Sequence, residues 1–231
     1  MDIAVQAVRN ARAVIFSWHG VLFDRGRRSI HEAVRGTFAN WGVEVSDAEL
    51  ELGRGPTGRA QLVRMLSQPR LAEAFRARHR RWVSEEDLAM MTADLEPRLI
   101  EAAERAALPN PDACAALTRL HDAGVRTAVV CCTPRRLLGP QLEALARAGV
   151  PLDAVVTADE ACEPAPTPWG IFEAVRQLGL ADASGVAMID DSPAGATAAR
   201  NAGAIGIALE FPGQPSASDA IATLRSLDHL R

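Results

Sequence analysis

The sequence predicts an α/β protein with a doubly wound parallel sheet and an inserted all-helical domain. Apolar runs of strand length alternate with helix-like segments over most of the chain, a pattern typical of parallel sheets. A length of 231 residues suits one such core with one insertion, and 48% hydrophobic residues are enough for a sizeable interior. Between about Arg27 and Leu108 the hydrophobic period changes to 3.6, which indicates where the insertion lies.

The first strand and the insertion follow from local patterns. The apolar run ARAVIFSW from Ala11 ends at His19-Gly20, as a buried parallel strand does before a tight turn. Ser46-Asp47-Ala48-Glu49 and Ser84-Glu85-Glu86-Asp87 are capping-box-like helix starts inside the insertion. We therefore expect a Rossmann-like core over residues 1–26 and 106–231 and an all-helical cap over residues 27–105.

The remaining core elements are predicted to alternate between helix and strand. The expected order is a helix from about Pro111 to Ala123, the strand TAVVCC, a helix to about Ala148, the strand AVVT, a helix ending near Gly179, the strand GVAMID, a helix from Pro193 to Ala202, the strand AIGIAL, a polar tail and a terminal helix. Ligands of such sheets bind beyond the carboxyl ends of the strands. The site is thus expected at Ser17 to Gly20, Cys131 to Thr133, around Glu163, and at Asp190 to Ser192.

Composition excludes several classes of function. A net charge of −4 without a long basic tract gives no footprint for nucleic acid. The apolar runs are too short for a membrane span and the N-terminus lacks a signal-peptide pattern, so a cytoplasmic location is expected. Four cysteines without paired spacing indicate neither zinc nor disulfides. All 25 basic residues are arginine and there is no tyrosine, which excludes chemistry by a side-chain amine or phenol.

Four segments carry a resemblance to a known family. VIFSWHGVLFDRG resembles the first motif of haloacid dehalogenase enzymes, with the Trp18 and Gly20 that are typical of phosphonoacetaldehyde hydrolases. GVRTAVVCCTPRRLL and EPAPTPWGIF are similar to the second and third motifs, and IDDSPAGATAARNAGAIGIAL to the fourth. The cap aligns from about Gly42 to Arg70, so the resemblance covers most of the chain through residue 210.

The resemblance also implies that most of the family's catalytic residues have been replaced. The nucleophilic aspartate falls on Ser17, so the usual aspartyl-phosphate intermediate cannot form. The general acid of ordinary phosphatases falls on His19. The hydroxyl that holds phosphate falls on Cys131, a weaker hydrogen-bond donor.

Two further replacements concern charge and the Schiff base. The third-motif basic residue falls on Glu163, and the Schiff-base lysine of phosphonoacetaldehyde hydrolases falls on Gly58. A phosphate dianion about 4 Å from Glu163 would be repelled by several kcal/mol at an effective dielectric near 20. The resemblance leaves Asp191, with Asp190 beside it, as magnesium ligands, and without a carboxylate at position 17 the Mg²⁺ site is expected to be weak or absent. No cofactor is therefore expected to be required.

Each candidate residue has a functional and a structural interpretation. Ser17 is a nucleophile activated by His19, a substrate-binding hydroxyl, or a neutral filler. His19 either transfers protons, for which an ordinary imidazole pKa of about 6.5 is suitable, or is a structural histidine. Cys131 is a small buried hydrophobe or a thiolate. Cys132 is a candidate substrate contact and Cys162 a loop residue, with packing as the alternative for both.

The remaining candidates surround the expected pocket. Glu163 and Asp191 are expected to place two carboxylates in one pocket, suited to acid/base chemistry or a cationic substrate, with a solvated Glu163 as the alternative. Arg54 and Arg59 flank Gly58 in the cap and are candidates for carboxylate recognition, although most arginines of the chain must be solvated. Trp18 and Trp169 either line the pocket or belong to the core.

Three functions remain open from the sequence. The favoured one is metal-independent acid/base, hydrolytic or lyase chemistry on a small molecule without a phosphate dianion, because the lost residues are replaced by other polar types. The second is an inactive family member that binds a ligand or a partner protein. The third is a phosphatase or phosphonate hydrolase with a rearranged nucleophile. The resemblance further implies a homodimer formed through the cap.

Overall fold

The structure is a computed structural model that describes residues 3–23, 26–53, 55, 57–161, 163–209, 220, 222–224 and 226–227. Of the predicted site residues, Arg54 lies outside the described residues, as does Cys162. No helix in the described part of the chain is long and apolar enough to cross a membrane.

The core is a six-stranded sheet in which every neighbouring pair of strands is parallel. Its strands are β1 (Ala13–Ser17), β2 (Arg126–Val130), β3 (Ala154–Val156), β4 (Val186–Asp190), β5 (Ile205–Leu209) and β6 (Ala222–Leu224), in the spatial order β3-β2-β1-β4-β5-β6. The central strand β1 lies between β2 and β4, with Ser17 paired to Val130. The carboxyl ends of these three strands therefore meet at one edge, where the sequence placed the site.

Helices cover both faces of the sheet, as a doubly wound core requires. They are α1 (Ile3–Arg9), α7 (Pro111–Asp122), α8 (Gly139–Arg147), α9 (Trp169–Gln177) and α10 (Pro193–Ala202), with a short 3₁₀ turn at Arg135–Leu137. Val14 and Phe16 of β1 pack with α1, α7 and α8 on one face. Ala13 and Ile15 pack with α9 and α10 on the other face, because side chains alternate along a strand.

Five helices between β1 and α7 form what we call the helical insert. They are α2 (Gly26–Asn40), α3 (Asp47–Leu52), α4 (Arg59–Leu66), α5 (Pro69–His79) and α6 (Glu85–Arg105). The insert has its own hydrophobic cluster, in which Phe38, Met65 and Met91 are fully buried. Leu137 of the core joins this cluster and connects the two layers.

The two predicted capping boxes are confirmed. Ser46 accepts from the backbone of Glu49 at the start of α3, and Ser84 accepts from that of Asp87 at the start of α6, with the reciprocal bonds also present. Each carboxylate is also held by an arginine, since Arg70 bonds Glu49 and Arg81 bonds Asp87.

The sequence predicts AIGIAL as the last clear strand before a polar tail and a terminal helix. Residues 222–224 form a further strand, β6, which pairs in parallel with β5 and which the sequence did not predict. The predicted polar tail and most of the stretch after β6 lie outside the described residues. A three-residue strand is too short to show a periodic signal, and its pairing with β5 depends on contacts distant in sequence.

Candidate functional site

A cavity of about 710 Å³ lies between the carboxyl edge of the sheet and the helical insert. This volume is in the usual range for small-molecule sites. Six of the predicted residues line it from the core, namely Ser17, His19, Cys131, Cys132, Glu163 and Asp190. The insert contributes five polar side chains that the sequence did not single out: His31, Glu51, Thr57, Gln61 and Arg64.

Trp18 belongs to the hydrophobic core and does not line the cavity, which corrects the expectation that it contacts the substrate. Its indole Nε1 donates to Oε1 of Gln141 at 2.8 Å, and its ring packs on Phe23 with 5.1 Å between centroids. The reason is strand alternation. Ser17 and His19 face the cavity, so the side chain between them points into the core.

Three further predicted residues are also not among those that line the cavity. Arg59 forms an ion pair with Glu85 across the ends of α4 and α6. Trp169 is 48% exposed and packs edge-to-face on Phe172, with 6.0 Å between ring centroids. Asp191 is buried beyond β4, so the carboxylate that lines the cavity from this loop is that of Asp190.

Local hydrogen bonds hold the Asp190 carboxylate. Its Oδ1 accepts from the backbone N–H of Ser192 at 2.7 Å and from Ser192 Oγ at 2.6 Å. Ser192 is also the N-cap of α10, where its Oγ accepts from Gly195 N at 3.1 Å. One oxygen of the Asp190 carboxylate therefore already accepts hydrogen bonds from its own loop.

These donors do not fit the Mg²⁺ that the family resemblance implies. Position 17, at the centre of the site, offers a neutral hydroxyl in place of a carboxylate. Within the described ranges, no group of three or more His, Cys, Asp or Glu side chains is placed to hold a metal ion. Mg²⁺ prefers octahedral oxygen coordination with anionic ligands, which this donor set does not supply.

His19 stands at the core end of a hydrogen-bond chain that joins the core to the helical insert. Its Nε2 lies 3.2 Å from Thr133 Oγ1, and Thr133 Oγ1 lies 2.8 Å from Thr57 Oγ1 of the insert. The backbone N–H of Thr57 donates to the carbonyl of Cys132 at 3.0 Å. A Cβ at Gly26 would lie only 2.5 Å from His19 Nδ1, so a glycine is needed there for the ring to occupy this position.

Thr133 lies in the stretch Cys131 to Thr133 that the sequence placed at the site, although no role was predicted for its side chain. Thr57, like the other polar residues of the insert that line the cavity, was not singled out by the sequence. Thr57 lies just before α4, and its approach to the core is a long-range contact that local patterns do not encode.

The two candidate nucleophiles are not activated in this arrangement. Ser17 Oγ donates to the carbonyl oxygen of His19 at 3.5 Å and does not bond its ring. Burial raises the pKa of the Cys131 thiol to about 12, and its Sγ accepts from Thr133 N at 3.4 Å. A thiol with this pKa stays protonated at neutral pH, so Cys131 is a small buried hydrophobe.

The described lining residues carry more negative than positive charge. Glu51, Glu163 and Asp190 contribute three carboxylates, whereas Arg64 contributes the single guanidinium. Glu163 is exposed at the cavity wall, and its main-chain carbonyl accepts from Thr167 Oγ1 at 3.0 Å. The described part of the lining therefore has a negative net charge, with His31 3.9 Å from Glu51.

Gly58 stands where the resemblance places the Schiff-base lysine. Its φ of 87° lies in a region that side-chain-bearing residues rarely adopt. A Cβ built there meets no atom within 4 Å, so the obstacle to a lysine is backbone strain and not lack of space.

Comparison with known proteins agrees with this fold. A family model described as haloacid dehalogenase-like hydrolase matches residues 11–203. The chain therefore belongs to the haloacid dehalogenase-like hydrolase family.

Within that family the chain is phosphonoacetaldehyde hydrolase-like. It is 31% identical over 196 residues to the phosphonoacetaldehyde hydrolase of Nitratidesulfovibrio vulgaris, with 83% of this chain and 69% of that protein covered. The enzyme of the same name from Bordetella pertussis is 28% identical over 216 residues, with 92% and 77% covered.

Solved structures support the fold. A phosphonoacetaldehyde hydrolase-like protein from Oleispira antarctica has a TM-score of 0.80 and 21% identity, with 87% of this chain and 72% of that chain covered. A β-phosphoglucomutase from Clostridium difficile has a TM-score of 0.74 and 16% identity, with 96% and 93% covered. At these identities the likeness concerns the fold alone.

Proposed function

We propose that this chain is an enzyme that binds a small molecule without a phosphate dianion and uses His19 for proton transfer, with no requirement for a metal ion. The observation that carries the proposal is the position of the His19 ring. It lines a ligand-sized cavity and is held by Thr133, which in turn bonds Thr57. A positioned imidazole is the most common general acid or base in enzymes.

The charge of the cavity argues against the reaction named for the relatives. A phosphonate substrate would have to enter a cavity whose described lining has three carboxylates and one guanidinium. Ser17 cannot form an aspartyl intermediate, and Gly58 cannot form a Schiff base. A neutral or cationic substrate avoids the repulsion and needs neither group.

In this proposal the core residues have separate roles. His19 donates or removes the proton at the reacting atom, and Thr133 fixes the orientation of its ring through Nε2. Ser17 offers a hydroxyl for substrate binding, since among the described residues its Oγ bonds only a main-chain carbonyl. Glu163 supplies negative charge at the cavity wall. Asp190 does so beside the strand end, where Ser192 orients its carboxylate.

Metal independence follows from the donor set and is part of the proposal. A hydroxyl at position 17 and an Asp190 oxygen bonded to Ser192 leave few free anionic ligands. We expect chelation by EDTA to leave the activity unchanged.

A second candidate is a binding protein without catalysis. The specific observation that favours it is the absence of an activated nucleophile, because Ser17 does not bond the imidazole and Cys131 keeps its proton. The same cavity would then serve only to hold a ligand.

The proposal is tested by a screen of uncharged p-nitrophenyl esters and amides in the presence of EDTA. Turnover is expected in the wild type and is expected to fall by about 100-fold in His19→Ala, in line with the loss of a general acid or base. His121→Ala, on the exposed surface of α7, is the matched control and should retain activity. Equal activity in His19→Ala and His121→Ala would refute the role of His19. Binding without turnover across the screen would favour the second candidate.

A further inference from the structure

Beside Ser17 the cavity reaches the layer between the sheet and helices α9 and α10. Ser17 is paired with Val130 of β2, and Ile15 is paired with Met188 of β4. Residues two apart on a strand share a face, so Ser17, Val130 and Met188 project from the face of the sheet that carries Ile15. That face packs against α9 and α10, and Val130 and Met188 both line the cavity. The sheet therefore supplies an apolar wall next to the Ser17 hydroxyl.

Helices α9 and α10 supply the opposite wall. Ile171 of α9 lines the cavity, as do Ala194 and Ala198 of α10. The two alanines are four residues apart, so they lie on the same face of α10. Their side chains are short, which leaves room between this helix and the sheet.

We call this part of the cavity the apolar pouch, formed by Val130, Ile171, Met188, Ala194 and Ala198. The charged and hydroxyl side chains of the described lining come from the strand ends, the loops after them and the helical insert. The described lining includes no Phe or Trp on which an aromatic ring could stack. A ligand group in the pouch would thus pack against apolar, non-aromatic side chains.

We infer that the ligand of this site carries an alkyl chain, which is buried in the apolar pouch while its polar end lies near Ser17 and His19. Small-molecule sites commonly combine an apolar wall with a few polar groups that fix the orientation of the ligand. The inference rests on the proposed function for the use of the cavity. It goes beyond that proposal in naming the substrate class as a neutral molecule with an aliphatic group, because a wholly polar molecule would leave the pouch unfilled.

The first test follows the methionine methyl groups by NMR in wild-type protein labelled with [methyl-¹³C]methionine. The probes are the straight-chain alcohols ethanol, butanol and hexanol. Met188 lines the pouch, whereas Met65 and Met91 are fully buried in the helical insert and are not among the cavity-lining residues, so they are internal controls. Hexanol is expected to shift the Met188 signal saturably and to leave those of Met65 and Met91 in place.

The chain-length dependence of the same titration measures the burial of the alkyl group. Each added methylene is expected to raise the affinity by about threefold to fourfold, as full burial of a CH₂ group does. The Met188 signal is assigned from its loss in Met188→Leu. No saturable change at Met188, equal changes at all three methionines, or an affinity that does not depend on chain length would each overturn the inference.

The second test narrows the pouch by substitution on α10. Ala198→Val adds two methyl groups inside the pouch and is expected to lower the affinity for hexanol by about tenfold, the loss of room for roughly two methylenes. Ala202→Val is the matched control, since Ala202 lies one turn further along α10, packs against the same hydrophobic cluster and is not among the cavity-lining residues. Thermal unfolding confirms that both variants are folded. Unchanged hexanol affinity in a folded Ala198→Val would overturn the inference, and so would an equal loss in Ala202→Val.

The outcomes also separate this inference from the proposed function. Hexanol binding at Met188 without turnover in the ester and amide screen would leave the ligand class standing and count against catalysis. Turnover that depends on His19 without any response at Met188 would overturn the alkyl-chain inference alone.

Discussion

The contact between Thr57 and Thr133 gives a stability prediction that can be worked out from the structure. The two hydroxyls are buried and 2.8 Å apart, and Thr133 also contacts His19 Nε2 at 3.2 Å. A neutral intramolecular hydrogen bond contributes about 1 kcal/mol to the free energy of unfolding. Thr57→Val removes one bond and should cost about 1 kcal/mol, and Thr133→Val removes two and should cost about 2 kcal/mol.

The double variant reveals whether the bond is shared. Because both single variants lose the same Thr57–Thr133 bond, the double variant should cost about 2 kcal/mol, with a coupling energy of about 1 kcal/mol. Urea unfolding monitored by tryptophan fluorescence measures all four free energies. Thr133→Ser keeps the hydroxyl and is the matched control. If the sum of the two single-variant costs equals the cost of the double variant within about 0.5 kcal/mol, the two hydroxyls do not interact. That result would refute the hydrogen-bond chain that links the insert to the His19 imidazole.

Three further predictions concern stability at acidic pH, the reactivity of the buried Cys131 thiol and a lysine at position 58. The side-chain hydrogen bond from Arg70 holds the pKa of Glu49 at about 2, below its ordinary 4.5. The stabilisation by the ionised Glu49 is therefore complete above pH 4.5 and is lost as the pH falls toward 2. In Glu49→Gln the free energy of unfolding should depend less on pH between pH 4.5 and 2, as urea unfolding at each pH would show. With a pKa of about 12, Cys131 should react with iodoacetamide at pH 8 at least about 100-fold more slowly in the native than in the urea-unfolded protein, as peptide mapping would show. Gly58→Lys should lower the unfolding free energy by about 1–3 kcal/mol because φ is 87°, and an unchanged value would contradict the strain.

Most of the core could be predicted from the sequence because its signals are local. Continuous apolar runs of strand length identify β1, β2 and β4, and both capping boxes are visible as Ser-x-x-Glu or Ser-x-x-Asp patterns. The carboxyl edge of the sheet then follows from the parallel arrangement. The cavity lies at that edge, lined by Ser17 and His19 at the end of β1.

The sequence did not predict features of the site that depend on side-chain direction or on contacts between distant parts of the chain. Trp18 was a candidate pocket residue, but strand alternation directs it into the core, where Gln141 binds its indole. Gln61 carries no sequence signal, because a glutamine in an amphipathic helix is ordinarily a surface residue. Its burial becomes visible only when α4 is packed against α5 and α6 in the folded insert. The cytoplasmic location and the homodimer through the insert stay predictions.

The central claim is that the fold of the family is kept while the site no longer handles a phosphate or phosphonate dianion. The most direct test is the steady-state hydrolysis of p-nitrophenyl phosphate and phosphonoacetaldehyde by the wild type, with and without Mg²⁺, beside Ser17→Ala and Asp191→Asn. We predict no Mg²⁺-dependent turnover and the same background rate in all three proteins, because Ser17 provides no aspartyl nucleophile and the cavity carries excess carboxylate. Mg²⁺-dependent turnover in the wild type that is lost in either variant would contradict the account.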